Sequence, residues 1–290
     1  MSNYSISLDI GGSHGTAALV DLEQKQIIEQ SIQRQTYNHE DSAENLLAIW
    51  ATIALQSLPQ TPVTIRHIGL AMPAPFDYES GISLLEHKLK ALFQVNVREA
   101  LAKSWHGTRL ESVPIYFGND ADLFALGEWW AGSAQGSKRM IGITLGTGLG
   151  AGFVEAGKVL RHDKRIPPDG EIWNLPFQDG IAEDFVSATA LVKTYHVKTG
   201  KSLSGKQLAQ LARQGNQEAQ ASFSEMGEYF AQVLEPLVYR FQPDTLVLGG
   251  NLARAFDLFG SPLERFTGLK CQISQHFEQA ALFGAAALKT

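Results

Sequence analysis

The sequence predicts an α/β protein with two domains, on three observations. The chain has 290 residues, which exceeds the usual size of one domain. An apolar strand, a glycine-rich turn and a second apolar strand occur in Leu8–Glu23, and the same pattern recurs in Met140–Leu160. Helical segments follow each copy. We therefore expect two domains of similar topology, 1–117 and 118–290, joined by a hinge and facing a central cleft, with a terminal helix that packs back on the first domain.

The composition is that of an ordinary globular protein, with 44% hydrophobic residues, 19% charged residues and a net charge of −6. The negative charge argues against non-specific nucleic-acid or anionic-membrane partners, and no apolar stretch approaches a membrane span. Cys271 is the only cysteine, which excludes an intramolecular disulfide and a cysteine-built zinc site. Because no signal peptide is recognisable at the N-terminus, we expect a cytoplasmic protein.

The first half alternates strands and helices. Apolar runs and alternation predict strands over Leu8–Ile10, Thr16–Val20, Gln26–Gln33, 63–72 and 114–117, and helices over Asp41–Leu58 and 96–105. Asp41 and Glu44 have the spacing of a capping box. The strand over 63–72 should stop at Pro73, since proline halts ladder pairing.

The second half is mainly helical after its strand pair. Helices are predicted over 121–132, Glu183–Tyr195, Ser204–Arg213, Asn216–Phe241 and Glu278–Lys289, and a buried strand over Asp244–Asn251. Ser204 and Gln207 form a second capping-box pattern.

Two glycine-rich turns at strand ends present backbone N–H groups beside a hydroxyl, which suits them to cradle phosphate. The first glycine loop is Gly11, Gly12 and Ser13, and the second glycine loop is Gly146, Thr147 and Gly148. Each alone is equally typical of a tight hairpin. The second loop matches GxGxxA, but a strand follows it where a dinucleotide fingerprint would open a helix, so we reject that interpretation.

Acidic residues beside these turns suggest chemistry. Asp9 would repel a phosphate unless a divalent cation lay between them, although it also suits a turn cap. In GNDAD, Gly118–Asp122, Asp120 could take a proton from a polyol hydroxyl with Asn119 beside it, or one of the aspartates could cap the following helix. Glu171 and Glu183 also lie in glycine-containing loops, where solvation is the default.

Seven segments resemble, in order, the ROK family (repressor, open reading frame, kinase) of bacterial sugar kinases: LDIGGSHGTAALVD, GLAMPAPFD, FGNDADLFALGE, ITLGTGLGAGFVEAGKVL, DGEIWN, DGIAEDFVSATAL and DTLVLGGN. The resemblance runs from about residue 6 to the closing GAAAL segment. It implies the actin-like ATPase (ribonuclease H-like) fold, with two mixed-sheet domains that close on a sugar and ATP in the cleft. A homodimer is also expected.

The resemblance assigns site roles by position. It makes Asp120 the general base, and ATP with Mg²⁺ the phosphoryl donor, with Asp9 facing the cation through water. The sugar ligands it implies are Asn119, Asp120, Glu171, Glu183 and the backbone at Ala74, and Asn174 could add a hydrogen bond. It implies that the two glycine loops bind phosphate and that Gly249, Gly250 and Asn251 lie on the adenosine side.

The chain departs from the family pattern at two places. GEIWN stands where the family reads GEIGH, and the cysteine-rich zinc motif that normally follows is missing. This predicts a zinc-free member whose loop is held by packing of Trp173 and Phe177. In EHKLKAL, His87 or Lys88 replaces an asparagine near the sugar, and each either contacts an acidic substrate or is solvated.

Four functions are compatible with these residues. An ATP-dependent hexose or amino-sugar kinase is the leading hypothesis. A sugar-responsive regulator is disfavoured because only eight residues precede Asp9, where such proteins carry a helix-turn-helix. A non-catalytic sugar-binding protein and a kinase that uses polyphosphate are the remaining alternatives.

Overall fold

The structure, a computed structural model, describes residues 3–86 and 88–289, and the chain divides into two compact units. The first unit runs to Ala131 and includes the residues from Gln279 onward, and the second is Gly132–Glu278. Each unit has its own hydrophobic core. Among the described helices, none combines the length and apolar character that crossing a membrane requires.

The first unit is built on a mixed sheet. Its strands are β1 (Asn3–Ile10), β2 (His14–Asp21), β3 (Gln26–Ile27), β4 (Gln33–Thr36), β5 (Thr64–Met72), β6 (Phe76–Asp77), β7 (Ile82–Ser83) and β8 (Ile115–Asn119). Its helices are α1 (Ala43–Gln56), α2 (Val97–Ser104) and α3 (Asp120–Trp130). The sheet order is β3-β2-β1-β5-β8, with β4 paired to β2. Strands β1, β5 and β8 are parallel, whereas β2 is antiparallel to β1.

The second unit repeats this arrangement. Its strands are β9 (Arg139–Leu145), β10 (Leu149–Glu155), β11 (Lys158–Leu160), β12 (Pro176–Phe177), β13 (Gly180–Ile181), β14 (Thr245–Gly249) and β15 (Cys271–Ile273). Its helices are α4 (Ala188–Thr199), α5 (Gly205–Arg213), α6 (Gln217–Phe241) and α7 (Phe256–Thr267), and α8 (Ala280–Ala287) belongs to the first unit. The order β11-β10-β9-β14-β15 matches that of the first sheet strand for strand. The strand-turn-strand pattern that recurs in the two halves of the sequence therefore corresponds to two sheets with the same strand order.

The boundary between the units lies after Ala131, later than the expected boundary at 117. Helix α3 stays with the first unit because it packs closely on α8. A Cβ at Gly127 would collide with the carbonyl of Ala280, and one at Gly284 with the carbonyl of Leu123. Only hydrogen atoms fit between the two helices at these positions, so α3 and α8 pack in direct backbone contact within the first unit.

Several predicted element boundaries need correction. The strand expected over Gln26–Gln33 is interrupted by a 3₁₀ turn at Glu29–Ser31, where the Ser31 hydroxyl accepts from Leu19 N at 2.8 Å. Helix α1 is capped by Ser42 instead of Asp41. The helix expected from Glu183 begins at Ala188, because Ser187 caps it by accepting from Ala190 N at 3.0 Å.

Candidate active site

The predicted site residues of the first unit lie at one edge of its sheet. In the register, Asp9 on β1 pairs with Ala71 on β5, and Met72 pairs with Asn119 on β8. Because parallel strands end at the same edge, the carboxyl ends of β1, β5 and β8 bring these segments together. Ala74 is exposed two residues beyond β5.

Asn119 caps α3, and Asp120 is the first residue of that helix. The Asn119 side-chain oxygen accepts from Ala121 N at 3.0 Å and from Asp122 N at 3.3 Å. Its amide nitrogen donates to the Tyr78 hydroxyl at 3.3 Å. Asn119, and not Asp120 or Asp122, is therefore the N-cap of α3, although Asp120 also accepts from Ala121 N at 2.8 Å.

The Asp120 carboxylate keeps solvent access, yet the protein around it raises its pKa above the ordinary value. Desolvation is the largest cause, because removing water disfavours the charged form. A hydrogen bond from Ala121 N at 2.8 Å and the charge of Lys88 act in the opposite direction. A carboxylate with a raised pKa and an open approach is a better proton acceptor than an ordinary surface aspartate.

The first glycine loop is tied down by Tyr37, which follows β4. The Tyr37 hydroxyl donates to Gly11 O at 2.6 Å and to His14 O at 2.9 Å, and its backbone N–H donates to Ser13 O at 3.0 Å. Burial raises the pKa of this hydroxyl, so it remains a donor. Sequence reasoning missed Tyr37, because only the pairing of β4 with β2 brings it beside the loop.

The second glycine loop joins β9 to β10 and is bonded to the start of α4. Gly146 N donates to Gly148 O at 3.0 Å, which closes the turn. Ala188 N donates to Gly146 O at 2.9 Å, and the Thr189 hydroxyl donates to Thr147 O at 2.8 Å. These bonds fix the carbonyls of the loop on the side of α4.

Glu183 is seated against the second glycine loop. Its carboxylate accepts from Leu149 N at 2.7 Å. A Cβ at Gly148 would lie too close to this carboxylate, so a larger residue there would displace the Glu183 side chain. Glu183 N also donates to Trp173 O at 3.0 Å, which places the GEIWN segment beside it.

Within that segment, Glu171 and Asn174 are brought together. The Asn174 amide donates to the Glu171 carboxylate at 3.1 Å. Both side chains retain solvent access, as does Trp173, which is 38% exposed. Trp173 is thus more exposed than a residue of the core, and its expected part in holding this loop stays a prediction.

The loop is instead held by an aromatic cluster. Phe177 on β12 contacts Phe185 and Tyr229 with ring centroids 5.3 Å and 5.6 Å away, both edge-to-face. Among the described residues, no group of three or more histidine, cysteine, aspartate or glutamate side chains could hold a metal ion. The donor set thus does not fit the zinc that the resemblance implies elsewhere in the family.

The turn at Gly249, Gly250 and Asn251 lies beside the second glycine loop. Strands β9 and β14 are parallel, with Gly249 paired to Thr144. Gly250 has φ +79°, and a Cβ there would collide with the carbonyl of Leu145. Both conditions restrict the position to glycine. Two glycine turns therefore meet at the carboxyl edge of the second sheet.

Comparisons with known proteins agree with this architecture. The chain is 26% identical to a glucokinase of Thermotoga maritima, covering 98% of this chain and 96% of that protein. It is 24% identical to a xylose repressor of Caldicellulosiruptor bescii, covering 98% of this chain and 77% of that protein.

Among solved structures, a ROK family glucokinase from Streptomyces griseus in complex with glucose and AMPPNP superposes with a TM-score of 0.76. The two are 22% identical, and the match covers 98% of each chain. The fold is therefore the actin-like ATPase fold. The model of the ROK family matches residues 5–289, so the chain belongs to the ROK family.

Proposed function

We propose that this ROK sugar kinase transfers the γ-phosphoryl group of ATP to a hydroxyl of a hexose or amino sugar, at the 6-position, with Asp120 as the general base. The main observation in support is that two adjacent residues at the start of α3 have different roles. Asn119 satisfies the helix amides, and Asp120 keeps an accessible carboxylate with a raised pKa at the sheet edge that also holds the first glycine loop.

In the proposed reaction, Asp120 accepts the proton of the sugar hydroxyl as its oxygen attacks the γ-phosphorus. Transfer between phosphate and hydroxyl depends mostly on positioning and charge neutralisation. We assign the backbone N–H groups of Gly12, Ser13, Thr147 and Gly148 to the phosphates, since those of Gly11 and Gly146 donate within their own loops. Asp9 is assigned to Mg²⁺ through water. Mg²⁺ neutralises phosphate charge when it enters with ATP.

The assignments in the second unit rest on position and hydrogen bonding. We assign Glu171, Asn174 and Glu183 to the sugar, and Gly249, Gly250 and Asn251 to the adenosine side. The Asn174–Glu171 contact and the proximity of Glu183 to Trp173 support a common polar surface. A homodimer, a cytoplasmic location and the absence of zinc remain predictions.

Regulation without catalysis is a second candidate, and the similarity to a xylose repressor favours it. A coupled ADP-release assay over hexoses, N-acetyl amino sugars and glycosides separates the candidates, with a parallel arm that replaces ATP by polyphosphate. We expect ADP release that depends on one sugar class. Binding of a sugar, measured by calorimetry, without turnover from either donor would contradict the proposal and favour regulation.

A further inference from the structure

The segment between β7 and α2 carries a lysine beside the first glycine loop. Leu85 and Leu89 are buried on either side of Lys88, with exposed fractions of 2% and 0%. They anchor the backbone while Lys88 itself stays exposed. His87, the other residue that the sequence singled out here, lies outside the described residues.

The Lys88 side chain approaches the first glycine loop. A Cβ placed on Gly12 would lie 3.6 Å from Cδ of Lys88, so the aliphatic stem passes beside Gly12. The ammonium group lies one methylene beyond that atom. No hydrogen bond or ion pair to another described residue occupies it, whereas Lys90, two residues later, lies 3.9 Å from the Glu40 carboxylate.

The charge of Lys88 also acts on Asp120, whose pKa it lowers against the effect of desolvation. One ammonium group is therefore close both to the loop assigned to the phosphate donor and to the carboxylate assigned as base. In the proposed reaction, the loop binds the phosphate donor and the carboxylate accepts the proton of the acceptor hydroxyl. Solvation alone does not require a lysine at this position.

We propose that Lys88 is a catalytic residue that contacts the transferred phosphoryl group and neutralises its charge, an inference that rests on the proposed kinase function. The sugar oxygen forms a bond to the γ-phosphorus while the bond from that phosphorus to the bridging oxygen of ADP breaks. The hydroxyl proton passes to Asp120, and Lys88 keeps its protons throughout. Its positive charge stabilises the charge on the phosphoryl oxygens more strongly in the transition state than in the ground state.

The test compares Lys88→Met and Lys88→Arg with the control Lys90→Met. We expect Lys88→Met to lower kcat on the order of 100-fold, with KM for a neutral sugar changed less than about twofold. Lys88→Arg should recover most of the loss because it restores the charge, and Lys90→Met should match the unaltered protein. An unchanged kcat in Lys88→Met would overturn the inference. So would a defect confined to acidic sugars, since the ammonium would then bind the acceptor.

If the proposed kinase function is wrong, the unaltered protein releases no ADP with any sugar, and this result is distinct from a failure of the Lys88 inference. The inference would still be tested by calorimetry with a nonhydrolysable ATP analogue. Contact with the γ-phosphate predicts that Lys88→Met binds the analogue at least about fivefold more weakly while Lys90→Met binds it normally. Equal affinities in that case would overturn it.

Discussion

The N-cap of α3 is Asn119, which accepts from two backbone N–H groups, and the adjacent Asp120 is the first residue of the helix and shares only the N–H of Ala121 with that cap. An aspartate at that position would ordinarily serve the helix. Because its neighbour does so, the carboxylate of Asp120 is available to a substrate, and the surrounding protein raises its pKa.

The raised pKa of Asp120 predicts the pH dependence of catalysis. The base works only when ionised, so kcat/KM should fall as pH decreases through the pKa of Asp120, above the value of about 3.9 for an ordinary aspartate. Lys88 and the N–H of Ala121 face the carboxylate and limit the rise. A profile of kcat/KM that stays flat down to about pH 4 would contradict this account.

Tyr37→Phe should loosen the first glycine loop. The variant keeps the ring but loses the bonds to Gly11 O and His14 O, which should cost about 1–2 kcal/mol of unfolding free energy and raise KM for ATP. The control Tyr229→Phe loses a hydroxyl that donates to Glu225 at 3.0 Å, away from the loop. An equal KM for ATP in both variants would argue against the role of Tyr37.

Gly148→Ala should destabilise the second unit, whereas Gly146→Ala should not. A methyl group at Gly148 meets the Glu183 carboxylate and displaces it from Leu149 N, at a cost of about 1–3 kcal/mol. No heavy atom lies within 4 Å of a Cβ at Gly146. Urea unfolding of the two variants without ligands measures the difference. Equal stabilities would contradict the prediction that loss of the Glu183–Leu149 hydrogen bond destabilises the second unit.

Metal analysis of the purified protein should find no stoichiometric zinc, and chelation should leave the unfolding temperature unchanged. The packing of Phe177 on Phe185 and Tyr229 predicts instead that Phe177→Ala lowers it. A tightly bound zinc ion, lost together with stability on chelation, would refute the idea that aromatic packing replaces the metal.

Local sequence signals were enough to predict much of the fold. The apolar strands on either side of the glycine turns can be recognised in the sequence. The capping box of Ser204 and Gln207 is present as predicted. Helix α7 was not predicted, because Gly260 and Pro262 lower helix propensity within it and packing on α6 overrides that preference. The three-residue strand β15 is too short to give a periodic signal.

The candidate site was predictable only where motifs mark it. Asp120 and both glycine loops follow strand ends that can be recognised in the sequence. The bonds of Tyr37 to the first glycine loop and the approach of Lys88 to Gly12 join segments far apart in the chain. Such contacts depend on strand pairing and on buried anchors such as Leu89, which a single sequence does not specify.

The assignment of Asp120 as the base is tested most directly by the turnover of Asp120→Asn with the best sugar and ATP. The substitution removes a carboxylate whose ionised form is disfavoured by desolvation. Because the pKa of Asp120 is raised in the folded protein, its protonated carboxyl stabilises the fold fully at pH values below the pKa of Asp120 in the unfolded chain. This stabilisation is lost as the pH rises through the pKa of Asp120 in the folded protein. The neutral amide of Asp120→Asn should therefore not weaken the fold at pH 7. We expect kcat to fall by about 100-fold to 10,000-fold while sugar affinity measured by calorimetry is preserved. Near-normal turnover by Asp120→Asn would contradict the assignment of Asp120 as the base.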